Sequence, residues 1–276
     1  MESGAIVVVA AALALAACVP HPNPPSVEPA PRLPPITGGP FQGLDPGASQ
    51  ADSLHFRVYA YGPDVARQVA DEAEAAYSRI MVDTDLFSFR PRELYHIYVY
   101  GSPDEFRKKT GQPNWSGGLS IGNSIYSYYG PSLIPTIAHE MTHLIFYEFM
   151  GGVNLSHRWI NEGLAVYQEN KAVGILAGRS DIFAAVRGQV RRAPLPMAQM
   201  INLVPSNERE YMVNTWYAQA ESMVRFMIER GGRIGFSQFL AALKDGRSAN
   251  EAIGRAYPTV WRGLDDFELS WQRSLQ

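Results

Sequence analysis

His139, Glu140 and His143 form a His-Glu-x-x-His motif, and Glu162 follows His143 after eighteen intervening residues. Residues four apart on an α-helix lie on one face, one turn apart. His139 and His143 can therefore each turn a ring nitrogen towards one metal ion. Glu140, beside the first histidine, can reach an open coordination position where a water would sit. A third ligand has to come from another element, and the run Trp159-Ile160-Asn161-Glu162-Gly163-Leu164-Ala165 offers Glu162 on a following helix. Two nitrogens and one carboxylate leave the fourth position of a tetrahedral zinc to water, which is the catalytic and not the structural arrangement. These residues imply one Zn2+ held by His139, His143 and Glu162, with Glu140 as the general base.

The elements that must position them can be read from apolar spacing. Ile134, Ile137, Ala138, Met141, Leu144 and Ile145 surround the motif, which predicts a buried helix over about 131–149, ended by Gly151-Gly152. Buried His and Glu need partners, and one metal satisfies all three ligands. Leu54, Phe56, Val58 and Ala60 alternate with more polar residues, which predicts a strand over 54–61. Val65, Val69, Ala73, Tyr77 and Ile80 recur near every fourth position, which predicts a helix over 64–82. A strand over 94–100 and a short helix over 104–110 follow, then strands over 117–121 and 124–129 joined by a turn at Gly122-Asn123. Beyond Gly163 the strand signals end, and 182–191, 217–230, 235–243, 249–256 and 264–275 read as helices. Ser248 and Glu251 have the spacing of a capping box, and Leu264, Phe267, Trp271 and Leu275 make one apolar stripe. The expectation is an α+β domain over 51–276, with a sheet and zinc-site lobe (51–170), a helical lobe (171–276) and the active-site cleft between them.

The spacing and the Trp-Ile-Asn-Glu-Gly-Leu-Ala run resemble the gluzincin (thermolysin-like) metallopeptidases, nearest to the aminopeptidase N group and bacterial peptidase MA-like domains. The resemblance covers roughly residue 54 to the C-terminus and is strongest over 134–167. It implies zinc ligands at His139, His143 and Glu162 and a base at Glu140. It also implies a tyrosine on a later helix that hydrogen-bonds the tetrahedral intermediate. Trp216-Tyr217-Ala218-Gln219-Ala220-Glu221 is similar to that segment, so Tyr217 is the match, with Tyr211, in a more loop-like setting, as the competitor. The sequence departs from the aminopeptidases in one respect. They hold the substrate amine with a glutamate upstream of the zinc helix, whereas no Asp or Glu stands between Glu105 and Glu140 here. Endopeptidase action on a peptide or protein substrate is therefore favoured, with strand 124–129 able to pair with an extended substrate. The same site would also serve a cell-wall amide. A binding lipoprotein with a structural zinc is disfavoured, because a structural site has no use for Glu140.

The front of the chain suggests a location. Residues 5–17 are thirteen consecutive apolar residues, short for a membrane span and suited to a signal-peptide core over 1–17. Leu15-Ala16-Ala17-Cys18 resembles a bacterial lipobox, and Cys18 is the only cysteine, so no internal disulfide can form. The n-region has Glu2 and no Lys or Arg. Ten prolines between Pro20 and Pro46 predict an extended tether over 18–50. A lipid anchor at Cys18 in a bacterial cell envelope is expected, with Val19 leaning the assignment to the outer membrane. A net charge of −3, a pI near 6.1 and scattered basic residues give no support to nucleic-acid binding.

Overall fold

Alternation at Phe56, Val58 and Ala60 yields a strand whose inward residues are all buried, β2 (Phe56–Tyr61), in the computed structural model of the chain. The structure describes residues 40–178, 188, 190–192, 194–202 and 210–276, without the side chains of Glu210 and Tyr211. Around β2 lie β1 (Ala48–Asp52), α1 (Pro63–Thr84), β3 (Tyr95–Tyr100), α2 (Pro103–Thr110), β4 (Gly118–Ile121) and β5 (Ser124–Tyr128). Strands β2, β3 and β5 are parallel, and β1 and β4 close the two ends antiparallel, giving the order β1-β2-β3-β5-β4. α1 lays Val69, Ala73, Tyr77 and Ile80 on one side of this sheet.

The helical part follows. Among the described residues it includes α3 (Leu133–Met150), a 3-10 turn (Leu155–His157), α4 (Arg158–Ala177), α5 (Met197–Asn202), α6 (Glu210–Gly231), α7 (Arg233–Lys244), α8 (Ala249–Ala256) and α9 (Leu264–Ser274). Gly151 ends α3 in the left-handed region, with φ of 78°. Ser248 and Glu251 form the capping box at the start of α8. Phe267 and Trp271 of α9 are fully buried, with Leu264 and Leu275 packed beside them. One hydrophobic cluster runs without a break from Phe56 in the sheet to Trp271 in the last helix. Among the described residues no helix is long and apolar enough to cross a membrane.

Three expectations change. The folded chain reaches further forward than a boundary at 51, because β1 spans that boundary and the segment before it packs on the sheet's second face. There Phe41 meets Tyr126 edge-on, the Tyr100 hydroxyl donates to the Gln42 carbonyl at 2.7 Å, and Lys109 pairs with Asp45 at 2.8 Å. Pro40 and Pro46 prevent regular pairing there, but side-chain anchors need none. Secondly, β5 lies between β3 and β4, so its backbone is committed on both sides, and β4 is the edge strand that has room for an extended partner. Thirdly, α6 starts at Glu210, which puts Tyr211 in its first turn and not in a loop. The signal segment 1–17, Cys18, the tether up to residue 39 and most of the helix expected over 182–191 lie outside the described residues.

Candidate metal centre and active site

α3 carries His139, Glu140 and His143 on its buried face, and α4 packs across it to bring up Glu162. The crossing of α4 with α6 depends on Gly163. A Cβ there would stand 2.4 Å from the Ala220 carbonyl oxygen, so a side chain would push the two helices apart and take Glu162 with them.

The three expected ligands converge. Glu162 Oε2 stands 3.9 Å from His139 Nε2 and 3.7 Å from His143 Nε2, and the donor atoms all lie within 4.8 Å of one another. Donors on a tetrahedral zinc with bonds near 2.1 Å stand roughly 3.4 Å apart, so small side-chain adjustments would bring the set onto an ion. Among the described residues this is the one such group of His, Cys, Asp and Glu. His143 Nε2 and Glu162 Oε2 are buried without a hydrogen-bond partner among the described residues. Buried polar atoms are rarely left so, which makes the pair a fit for a cation.

Electrostatics point the same way. Burial pushes the Glu162 carboxyl up to about 8 and pulls the His143 imidazole down to about 3, so in the metal-free protein neither is charged near neutrality. A bound cation would reverse the cost of charging Glu162. Glu140 is 2 % exposed, and burial pushes its carboxyl up to about 7, against the opposing pull of His139 and a hydrogen bond from Ser120.

Second-layer contacts set the ring faces. His139 Nδ1 donates to Glu169 Oε2 at 2.9 Å, and His143 Nδ1 donates to Asn161 Oδ1 at 3.1 Å. With Nδ1 holding the proton, Nε2 carries the lone pair that a metal would take. Asn161 Nδ2 in turn donates to the Tyr147 hydroxyl at 2.7 Å. Sequence reasoning missed Asn161, Glu169, Tyr147 and Ser120 as site residues. Asn161 precedes Glu162 directly and Glu169 is two turns after it, so helical spacing could have found both.

Tyr217 is half-buried on α6, one turn before the Ala220 carbonyl that touches Gly163, with its ring against Trp216 at 5.2 Å. The side chain of Tyr211 is outside the described residues.

The family model of the peptidase MA superfamily matches residues 72–276. The chain belongs to that superfamily. The α+β, gluzincin-like metallopeptidase domain expected from the motif is the fold this supports. Leucine aminopeptidase 2 of Aspergillus terreus is 29 % identical over 142 residues, covering 49 % of this chain and 20 % of that protein. Leucine aminopeptidase 2 of Eremothecium gossypii is 29 % identical over 112 residues, covering 38 % and 17 %. Native leukotriene A4 hydrolase from Saccharomyces cerevisiae is 16 % identical over 72 % of this chain and 33 % of its own, with a TM-score of 0.42. The yeast enzyme in complex with bestatin gives 15 %, 76 %, 36 % and 0.41. The chain thus spans at most a fifth of the length of these curated relatives.

Proposed function

We propose that this chain is a zinc-dependent peptide-bond hydrolase that cuts within chains. The observation that carries the proposal is Glu140, a buried carboxylate one residue from a ligand in a site whose three donors leave room for a water. His139, His143 and Glu162 would hold the ion. Once bound, zinc would supply a Lewis acid that polarises a carbonyl and acidifies a water. Glu140 would accept a proton from the attacking water as its oxygen reaches the carbonyl carbon. It then returns the proton to the amine nitrogen as the C–N bond breaks. Burial pushes the Glu140 carboxyl up to about 7 in the metal-free protein, and a bound cation would draw it back down, leaving the carboxylate form that a base needs. The Tyr217 hydroxyl donates to the developing oxyanion. Tyr217→Phe is expected to lower kcat by roughly 10²–10³ with zinc retained, the scale of one lost donor. An unchanged kcat moves that role elsewhere.

Internal cleavage is supported by the absence of any Asp or Glu from 106 to 139 that could hold a substrate ammonium. Strand β4, the open edge beside α3, suits an extended substrate backbone. The fungal relatives are leucine aminopeptidases, which favours the opposite, exopeptidase reading. A peptide library in free and N-acetylated forms separates the two. Equal cleavage of both supports an endopeptidase, and cleavage of the free form alone overturns it.

The apolar run before Cys18 supports a lipid anchor in a bacterial envelope, with the domain held off the membrane by the proline-rich segment. Cys18→Ser is expected to shift mature protein out of washed membranes in a bacterial host. A wild-type chain found wholly in the soluble fraction with a free thiol contradicts the anchor.

A further inference from the structure

The edge strand and the metal helix touch at two points that repeat in step. Gly118 of β4 lies so close to Thr136 of α3 that a Cβ on it would stand 2.6 Å from Thr136 Cγ2. Two residues on, the Ser120 hydroxyl donates to Glu140 Oε2 at 2.8 Å. Residues 118 and 120 share one face of a strand, and 136 and 140 share one face of a helix. Two strand residues advance roughly 6.6 Å and four helix residues about 6 Å, so the two contacts keep the same spacing. The backbone of β4 is itself fixed by its antiparallel register with β5, where Ser120 faces Ile125 and Gly118 faces Ser127. A glutamate carboxylate has two equivalent oxygens and three rotatable bonds behind it, so without a fixed partner either oxygen could face the reacting water.

We infer that Ser120 is the positioning residue of Glu140, holding Oε2 so that Oε1 is the oxygen that exchanges the proton. The bare backbone at Gly118 lets the strand come near enough to the helix to do so. This inference rests on the metallopeptidase reading above. The effect of Ser120 and Gly118 runs through the base and the strand beside it.

The test uses the zinc-loaded full chain as wild type, Ser120→Ala and Ser120→Thr. Each is measured for zinc per chain, melting temperature, kcat and KM on a peptide substrate, and affinity for a peptide hydroxamate, a metal binder that also bonds to the base. Ser120→Ala should keep its zinc and its KM within about twofold while kcat falls about 10–100-fold, the scale of a lost outer contact. Hydroxamate affinity should fall by at least fivefold. Ser120→Thr keeps the hydroxyl and should restore kcat to within about threefold of wild type. An unchanged kcat in Ser120→Ala, or a folded, zinc-loaded Ser120→Thr as slow as Ser120→Ala, overturns the inference. If the wild type cleaves no peptide, the metallopeptidase reading falls first and hydroxamate affinity decides alone. Weaker binding by Ser120→Ala then supports the clamp, and equal binding overturns it.

Discussion

Two carboxylates, Asp83 and Glu162, are each 1 % exposed, yet the protein treats them in opposite ways. Asp83, in the last turn of α1, accepts from Gln168 Nε2 at 2.9 Å and from Lys171 Nζ at 2.6 Å, and Arg233 stands 3.5 Å away. Its charge is answered by side chains of α4 and α7, and it ties both helices to α1. Glu162, one and a half turns before Gln168 on α4, faces two imidazole nitrogens at 3.7 and 3.9 Å and, among the described residues, no cationic side chain within ion-pair distance. An unanswered buried carboxylate is expensive, so it is kept where something else answers it. The first site is finished by the chain, and the second, on the reading proposed above, would be finished by an ion. A structural carboxylate and a ligand carboxylate are thus told apart by their partners, since burial is the same for both.

The contrast can be broken most severely at the ligand itself. Glu162→Gln keeps the shape of the side chain but removes the negative charge it would bring to an ion. It should cut zinc affinity by about a thousandfold, and hydrolysis with it, while leaving the metal-free melting temperature unchanged or raised, because the buried carboxyl is already neutral there. Isothermal titration with zinc and calorimetric melting check both halves. A metal-free protein that melts well below wild type would mean that Glu162 also holds the fold together.

Asp83→Ala should do the reverse. Removing the acceptor leaves Gln168 and Lys171 without their partner, at a cost of about 3 kcal/mol, or about 6–12 °C in Tm for a domain of this size. The loss should be equal with and without zinc, read by thermal melts in zinc and in chelator. A loss that disappears on zinc addition would merge the two sites into one.

A smaller effect sharpens the same line. Burial holds the Glu162 carboxyl up near 8 in the metal-free protein, so it keeps its proton at neutral pH and must release it to bind an ion. Zinc affinity should therefore rise about tenfold per pH unit below that value and flatten above it. The His143 imidazole, depressed to about 3, stays neutral over this range and adds no slope. Zinc titrations between pH 6 and pH 9, roughly bracketing this value, give the slope. A flat profile would mean that Glu162 is already ionised before the metal arrives.

Much of the site was legible because its spacing is local. His139, Glu140 and His143 share one helix, and Glu162 stands inside a run whose pattern names it. Asp83 and Gln168 are separated by 85 positions, and nothing in either neighbourhood marks the other. Ser120 was illegible for the same reason, since its bond to Glu140 exists only once β4 lies along α3. The strands were readable where inward and outward residues alternate, as in β2. β1, ending at Asp52 after Pro46, has a weak apolar pattern and gains its place by pairing with β2 along its whole length. The edge of the sheet was misread because strand order depends on long-range pairing, which a turn at Gly122-Asn123 does not fix.

The central claim is that His139, His143 and Glu162 hold one zinc beside a base at Glu140. Its most direct test is metal analysis of wild type and Glu140→Gln after mild purification, with hydrolysis of a peptide library measured on the same samples. The expected result is about one zinc per chain in both proteins, with turnover in wild type and a loss of about a thousandfold or more in the variant. A wild type that neither carries nor takes up zinc, or a variant that hydrolyses peptides at the wild-type rate, contradicts it.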